Sequence, residues 1–235
     1  MKSKVLVVAA HPDDEILGCG GTLINHRNKG DDVGILIMSE GYTSRDKKRN
    51  ISKRKKELLE LKKVASKIAN QIKAKFVKFN SFPDNRMDSV NFLDVVKKVE
   101  NVIKNFKPSI IYTHHPSDLN IDHNIVYKAV MTASRPVPNQ SVKQILLFET
   151  LSSTNWSLNN LKKNNFFNPN FFHEIPKSSL KTKLNLLSIY KIEMRKWPHS
   201  RSLKSVKALA HYRGSSVGCD AAEAFVLERH IVKNK

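Results

Sequence analysis

Two short stretches of this 235-residue chain concentrate histidine and carboxylate: His11, Asp13, Asp14 and Glu15 around Pro12, and His114, His115, Asp118, Asn120, Asp122 and His123. Two imidazoles with one carboxylate and a position left open suit a catalytic zinc ion. A further carboxylate in the same loop can take a proton from water. Acids at a helix start can also be plain capping groups. Each cluster alone reads either way, but four histidines and several carboxylates together exceed what capping needs.

Side chains so far apart in sequence act together only if the fold converges them. Val5 to Ala10 is a continuous apolar run, the mark of a strand buried on both faces, and Pro12 to Glu15 then opens a helix. Val33 to Met38, Lys75 to Phe79, Ser109 to Thr113 and Gln144 to Glu149 read as further strands. Between them, Leu58, Leu61, Ala65, Ile68 and Ile72 make one helical stripe and Val95, Val99, Val102 and Phe106 another, with helix again from Asp122 to Ser134. Strands alternating with helices predict an α/β fold, a Rossmann-like, doubly wound and mainly parallel sheet over residues 1–150. In such sheets ligands bind beyond the carboxyl ends of the strands, where both clusters fall. Beyond residue 150 the pattern changes: Asn and Phe crowd Asn155 to Phe172, and helical periodicity returns between Leu180 and Arg195. Residues 151–235 are expected to form a C-terminal helical cap on the same single domain.

The composition narrows the class. Hydrophobic residues make up 40% of the chain, enough for a sizeable core. The formal charge is +20. A positive field attracts anionic partners such as nucleotide sugars, lipid phosphates or nucleic acid, yet much of the excess is Lys scattered through Asn- and Ile-rich sequence, an ordinary solvated surface. The densest basic stretch runs from Arg45 to Lys63. A nucleic-acid-binding protein using that stretch is the competing reading, although aromatic residues are not interleaved with it. Cys19 and Cys219 form no CxxC pair, which argues against a disulfide scaffold or a cysteine metal cage. No apolar run approaches the ~20 residues that span a bilayer, and His11 to Asp13 interrupt the N-terminal run before it can act as a signal core. A cytoplasmic protein is expected, with peripheral contact to anionic membrane open to it. Gly18, Gly20 and Gly21 fail the GxGxxG pattern and point to close helix packing.

AHPDDE at residues 10–15 resembles the signature of the PIG-L/LmbE family of metal-dependent N-acetylglucosaminyl deacetylases, and HHPSDLNIDH at 114–123 resembles its second metal motif. RKKEL at 54–58, FPDNRMD at 82–88, FETLSSTNW at 148–156, SRS at 200–202, RG at 213–214 and AEAF at 222–225 extend the likeness nearly end to end, the later ones toward a bacterial branch. The resemblance implies an enzyme that removes the acetyl group from an N-acetyl amino sugar, free or linked to a nucleotide, lipid or thiol, with or without phosphate. It implies that His11, Asp14 and His123 hold a divalent metal, usually Zn2+ with Fe2+ as an alternative, and that Asp13 is the general base. It places Arg54 and Asp84 on the substrate, with Arg86 a further candidate from the same loop. Asp122 is expected to orient His123 as a supporting carboxylate. One position departs from the pattern: where many members carry a catalytic His, this chain has Asn120, which can donate a hydrogen bond but cannot shuttle a proton. The acid step then falls to Asp13, or in part to His115. A metal-binding homologue without turnover is the third reading.

Overall fold

The computed structural model describes residues 2–157 and 166–232; part of the Asn- and Phe-rich stretch, 158–165, lies outside them. Five strands run parallel: β1 (Lys4–Ala9), β2 (Asp32–Ser39), β3 (Phe76–Phe82), β4 (Ile110–His114) and β5 (Gln144–Phe148). Helices α1 (Asp14–Asn28), α2 (Lys55–Gln71), α3 (Phe92–Phe106) and α4 (Ile121–Ala133) alternate with them. The sheet order is β3-β2-β1-β4-β5 and then two further strands, so the chain reverses its direction of winding between β1 and β4. That is the crevice where doubly wound folds bind ligands. Val5 pairs with Ile110 and Val7 with Tyr112, which sets the two His/carboxylate clusters side by side at adjacent strand ends.

Alternation along β1 divides the core. Val5, Val7 and Ala9 join Leu23 of α1, Leu61 and Ile68 of α2 and Leu186 on one face, while Leu6, Val8 and Ala10 join Val99 of α3 and Val126 of α4 on the other. Val5 to Ala9 of β1 and Ala10 just beyond it are all fully buried, which is why the segment reads as an unbroken apolar run.

The tail is more than a helical cap. It does supply α5 (Lys177–Ile189) and α6 (Leu203–Ser215), but it also adds β6 (Phe171–Glu174) and β7 (Ala222–His230) to the sheet, β7 antiparallel to both β5 and β6. The AEAF segment is the start of β7. An antiparallel strand at the margin of a parallel sheet needs no crossover helix, so the β–α rhythm that reveals the first five strands is silent about these two. No helix among the described residues is long and apolar enough to cross a membrane.

The tail also repairs a break in α1. Cys19 has non-helical backbone angles (φ −144°, ψ 20°), and near it a Cβ on Gly18 would stand 2.3 Å from the Phe148 ring and one on Gly21 2.7 Å from Ile175. Close packing is therefore the role of these glycines. The break frees amides, and Glu223 of β7 accepts from Gly21 N at 2.9 Å and Thr22 N at 2.7 Å. Lys183 of α5 completes the junction, with Nζ 2.6 Å from Glu223 and 2.8 Å from Leu17 O. Lys183 and Glu223 are both buried, and removing one member of a buried pair leaves the other charge uncompensated, at about 3–5 kcal/mol. Glu223→Ala is expected to lose that much in a urea or guanidinium titration, and a loss below 1 kcal/mol would contradict this role for the junction. Arg213 makes a second tie, donating to both oxygens of Glu149 at 2.8 and 2.9 Å.

Candidate metal centre and active site

The turn that follows β1 holds its residues in unusual geometry. Asp13 sits at φ 113°, a region costly for a side chain with a Cβ and found where a structure over-determines it. Its carbonyl starts α1 by accepting from Leu17 N, and its own N–H donates to Glu15 Oε2 at 2.9 Å. Tyr190 OH anchors the other Glu15 oxygen at 2.6 Å, and burial raises the Glu15 carboxyl to about 7. In the loop after β4, Asn120 caps α4 by accepting from Asp122 N at 2.9 Å, which fixes His123 in the first helical turn.

His11 Nδ1, Asp14 Oδ2 and His123 Nε2 meet at one point. Their separations are 3.2 Å from His11 to Asp14, 3.2 Å from His123 to Asp14 and 3.3 Å between the imidazoles. Ligands at about 2.0–2.1 Å from a tetrahedral zinc ion stand about 3.3–3.4 Å apart, so the triangle has the right size. Asp14 Oδ1 is buried without a hydrogen-bond partner among the described residues, a condition a cation on the carboxylate would relieve. The charge balance agrees. Burial would lower both imidazoles, yet Asp118 and Asp14 push His123 up to about 9, and Asp122, Asp14 and Asp84 hold His11 well above its ordinary range. Burial would raise Asp14, but His123, His11 and His114 keep it well below the usual carboxylate range. The cluster therefore calls for positive charge where its donors meet.

Each imidazole is backed by acids on its far side. His123 Nδ1 lies 3.0 Å from Asp118 Oδ2; His11 Nε2 lies 3.0 Å from Asp122 Oδ2 and 3.2 Å from Asp84 Oδ1. The expectation that Asp122 stands behind His123 is corrected: the carboxylate beside its Nδ1 is Asp118. Neighbours on a helix point in different directions, so Asp122 reaches across to His11 and also receives the amides of Asn85 at 2.7 Å and Met87 at 3.0 Å. Asp118 is itself held by the hydroxyls of Ser153 and Thr154. His114 Nε2 accepts the Ala10 amide at 2.8 Å, and burial keeps the His114 ring well below its ordinary pKa.

The cluster adjoins a cavity of about 260 Å3 whose lining includes His11, Asp13, Asp84 and Asn120. Burial pushes Asp13 well above the usual carboxylate range, against the opposing charge of Arg201. Arg201 Nη1 donates to Asp13 Oδ2 at 3.0 Å, and a chain of charges continues outward: Arg201 lies 3.5 Å from Glu193, which Arg45 contacts at 3.1 Å while stacked 3.9 Å over the Tyr42 ring. Arg201, Glu193, Tyr42 and Arg45 were not individually legible. Arg201 stands in a noted triplet, but nothing in spacing ties it to an aspartate 188 positions away.

Three other expectations change. Arg54 does not line the cavity: it donates to both oxygens of Asp46 at 2.7 and 2.9 Å and to Glu57 at 3.1 Å. Arg86 donates to the carbonyls of Asp46 and Lys47. Both brace the loop whose Arg45 does reach the cavity, so they shape it from behind. His115 stands away from the cavity: its Nδ1 lies 2.6 Å from Ser117 Oγ, its ring packs on Phe167, and it is not among the residues that line the cavity; burial lowers it to about 4. The basic stretch is in part consumed internally as well, since Arg45, Arg49, Lys53 and Arg54 pair with Glu193, Glu40 and Asp46.

The model of a protein family described as PIG-L, GlcNAc-PI de-N-acetylase, matches residues 6–134. The uncharacterized deacetylase YaiS of Escherichia coli K12 is 33% identical over 154 residues, covering 63% of this chain and 75% of that protein. Among solved structures, the N,N'-diacetylchitobiose deacetylase of Pyrococcus horikoshii aligns with a TM-score of 0.75 at 17% identity, over 97% of this chain and 84% of its own. The 4-carboxy-2-hydroxymuconate hydratase GalB of Pseudomonas putida KT2440 aligns equally well, at 0.75 and 18% identity, over 100% and 99%. Two different reactions on one scaffold mean that these structural likenesses show the fold, and the chemistry has to come from the residues.

Proposed function

The chain belongs to the PIG-L family of deacetylases, and from that premise we propose that it is a metal-dependent hydrolase cleaving the acetamide of an N-acetylated amino sugar to acetate and a free amine. The observation that carries the reading is the triangle of His11, Asp14 and His123 donors beside a buried carboxylate, Asp13, that opens on the cavity. His11, Asp14 and His123 would hold the metal, Zn2+ in first place and Fe2+ as the alternative. What such an ion supplies is Lewis acidity, which makes water more acidic and stabilises negative charge on the acetamide oxygen.

The remaining work falls to side chains. Arg201 holds Asp13 Oδ2, which leaves Oδ1 to take the proton of the attacking water. Burial favours the neutral carboxyl, so Asp13 keeps that proton until the C–N bond breaks and then delivers it to the leaving nitrogen. Asn120 has its Oδ1 committed to the α4 cap, and its Nδ2 is a hydrogen-bond donor on the cavity wall. With His115 turned away, Asp13 carries both proton transfers. Two free thiols, Cys19 and Cys219, suit a reducing compartment, and we place the reaction in the cytoplasm.

The test is amine release from N-acetylglucosamine and its nucleotide-, lipid- and thiol-linked forms, with metal-analysed protein in the presence and absence of added Zn2+ or Fe2+. Turnover of at least one form that depends on metal is expected. Metal-loaded protein that releases no amine from any of them would overturn the reading. Binding to duplex DNA or RNA that weakens steeply with salt would favour the nucleic-acid alternative.

A further inference from the structure

Asp13 opens a helix without doing what an acid in that place ordinarily does. Aspartate at a helix start accepts an amide of the first turn, but the Asp13 side chain makes no such bond. Its backbone stands instead at φ 113° and ψ −29°, a left-handed turn that a residue with a Cβ adopts only where its surroundings impose it. The carboxylate is thereby left to Arg201 and the cavity. Relaxation to an ordinary cap would commit it to the amides of α1.

Two links hold this arrangement, and both come from one piece of the tail. Asp13 N–H donates to Glu15 Oε2 at 2.9 Å, and Tyr190 OH donates to Glu15 Oε1 at 2.6 Å. Glu15 is therefore gripped between the backbone of Asp13 and Tyr190, the residue that ends α5. Asp13, Glu15 and Tyr190 are each 1% exposed, away from water, where a lost hydrogen-bond partner costs most. A phenylalanine would fill the Tyr190 site without burying a hydroxyl, so the O–H is there for Glu15. The second link is Arg201 on Asp13 Oδ2 at 3.0 Å. Tyr190 is tied to it as well: the Tyr190 carbonyl accepts the amides of Glu193 and Met194 at 3.0 Å each, and Glu193 lies 3.5 Å from Arg201.

Resting on the deacetylase reading above, we propose that Tyr190 is a positioning residue for the general base: through Glu15 its hydroxyl holds Asp13 in the left-handed turn that keeps the carboxylate off the helix and facing the cavity. Tyr190 touches neither the proposed ligands nor the cavity lining, so its whole effect on the reaction passes through Asp13.

The experiment compares wild type, Tyr190→Phe, Asp13→Asn, the double variant and Tyr112→Phe. Tyr112 is the control, since its ring is equally enclosed and its hydroxyl pairs with His26 Nε2 at 3.0 Å, in the last turn of α1. On an N-acetylglucosaminyl substrate that wild type turns over, Tyr190→Phe is expected to lower kcat about 10–100-fold, as loss of a hydrogen bond to a charged group allows. KM and bound Zn2+ should stay unchanged. Tyr112→Phe should lose thermal stability and keep kcat. In the Asp13→Asn background the loss of the Tyr190 hydroxyl should cost less than about twofold, because its route to the reaction is already gone. A readout that needs no turnover is exchange of the Asp13 amide hydrogen, followed by NMR: it should accelerate about tenfold or more in Tyr190→Phe and not in Tyr112→Phe. An Asp13 amide as protected in Tyr190→Phe as in wild type, a kcat within twofold of wild type, or an undiminished loss in Asp13→Asn would each overturn the positioning role while leaving the deacetylase reading intact. Zinc-loaded wild type that releases no amine would remove that reading and the role together.

Discussion

Asp13→Asn is expected to lower kcat by about 10²–10⁴-fold, the usual worth of a general acid–base group, with bound metal unchanged. Asn has the same shape and keeps a hydrogen-bonding oxygen for Arg201, which also retains Glu193, so the variant should fold. What it loses is the ability to accept the water's proton and return it to the amine. His115 faces Ser117 and Asn120 cannot titrate, so neither replaces Asp13 in both transfers. The loss should therefore appear in kcat and in kcat/KM alike, with little change in KM. Steady-state kinetics on any substrate that wild type turns over, beside metal analysis of the same sample, decides the matter. A variant within tenfold of wild type would show that the proton travels by another route.

The other large effect concerns the metal. Dialysis against a chelator should abolish activity, and stoichiometric Zn2+ or Fe2+ should restore it. A ligand that binds only the folded state stabilises it by about 2.7 kcal/mol at a hundred times its Kd, so Zn2+ should raise the unfolding midpoint of wild type. His123→Ala and Asp14→Asn should lose both the activity and the stabilisation. Asp118→Asn should weaken metal affinity about 10–100-fold, as loss of a carboxylate behind a ligating imidazole does, because Asp118 meets His123 Nδ1. Full activity in metal-free protein would refute the metal assignment, and unchanged affinity in Asp118→Asn would refute the pairing.

The site's inner half was legible in the sequence. Apolar strands β1 and β4 announce themselves, the residues after them are the ones proposed to carry the chemistry, and the winding of a parallel sheet sets those ends side by side. What escaped was direction. Asp118 and Asp122 stand in the same short motif, yet the first precedes the cap of α4 and the second lies inside the helix, so they serve different imidazoles. Arg54 matched a pattern, but a guanidinium binds the nearest carboxylate, and Asp46 was nearer than the cavity. The outer half, from Arg201 to Tyr42 and Trp156, comes from loops whose meeting depends on tertiary packing, and no periodicity records such a meeting. The margin strands escaped for a related reason, since β7 pairs with β5 across most of the tail.

The junction of Glu223 with the broken helix α1 has a consequence for the order of events during biosynthesis. All three proposed ligands have been synthesised 100 residues before Glu223 is made, the interval between His123 and Glu223. At 5–20 residues per second that interval is on the order of 5–20 s, during which the amides of Gly21 and Thr22 lack their partner and the helix bearing Asp14 is not pinned. The nascent chain thus exposes histidines and carboxylates as loose, low-affinity donors first and as a preorganised triangle only after the last strand docks. On the proposed ligand set, tight metal binding waits for β7, and a chain terminated before β7 carries every proposed ligand without the geometry to use them.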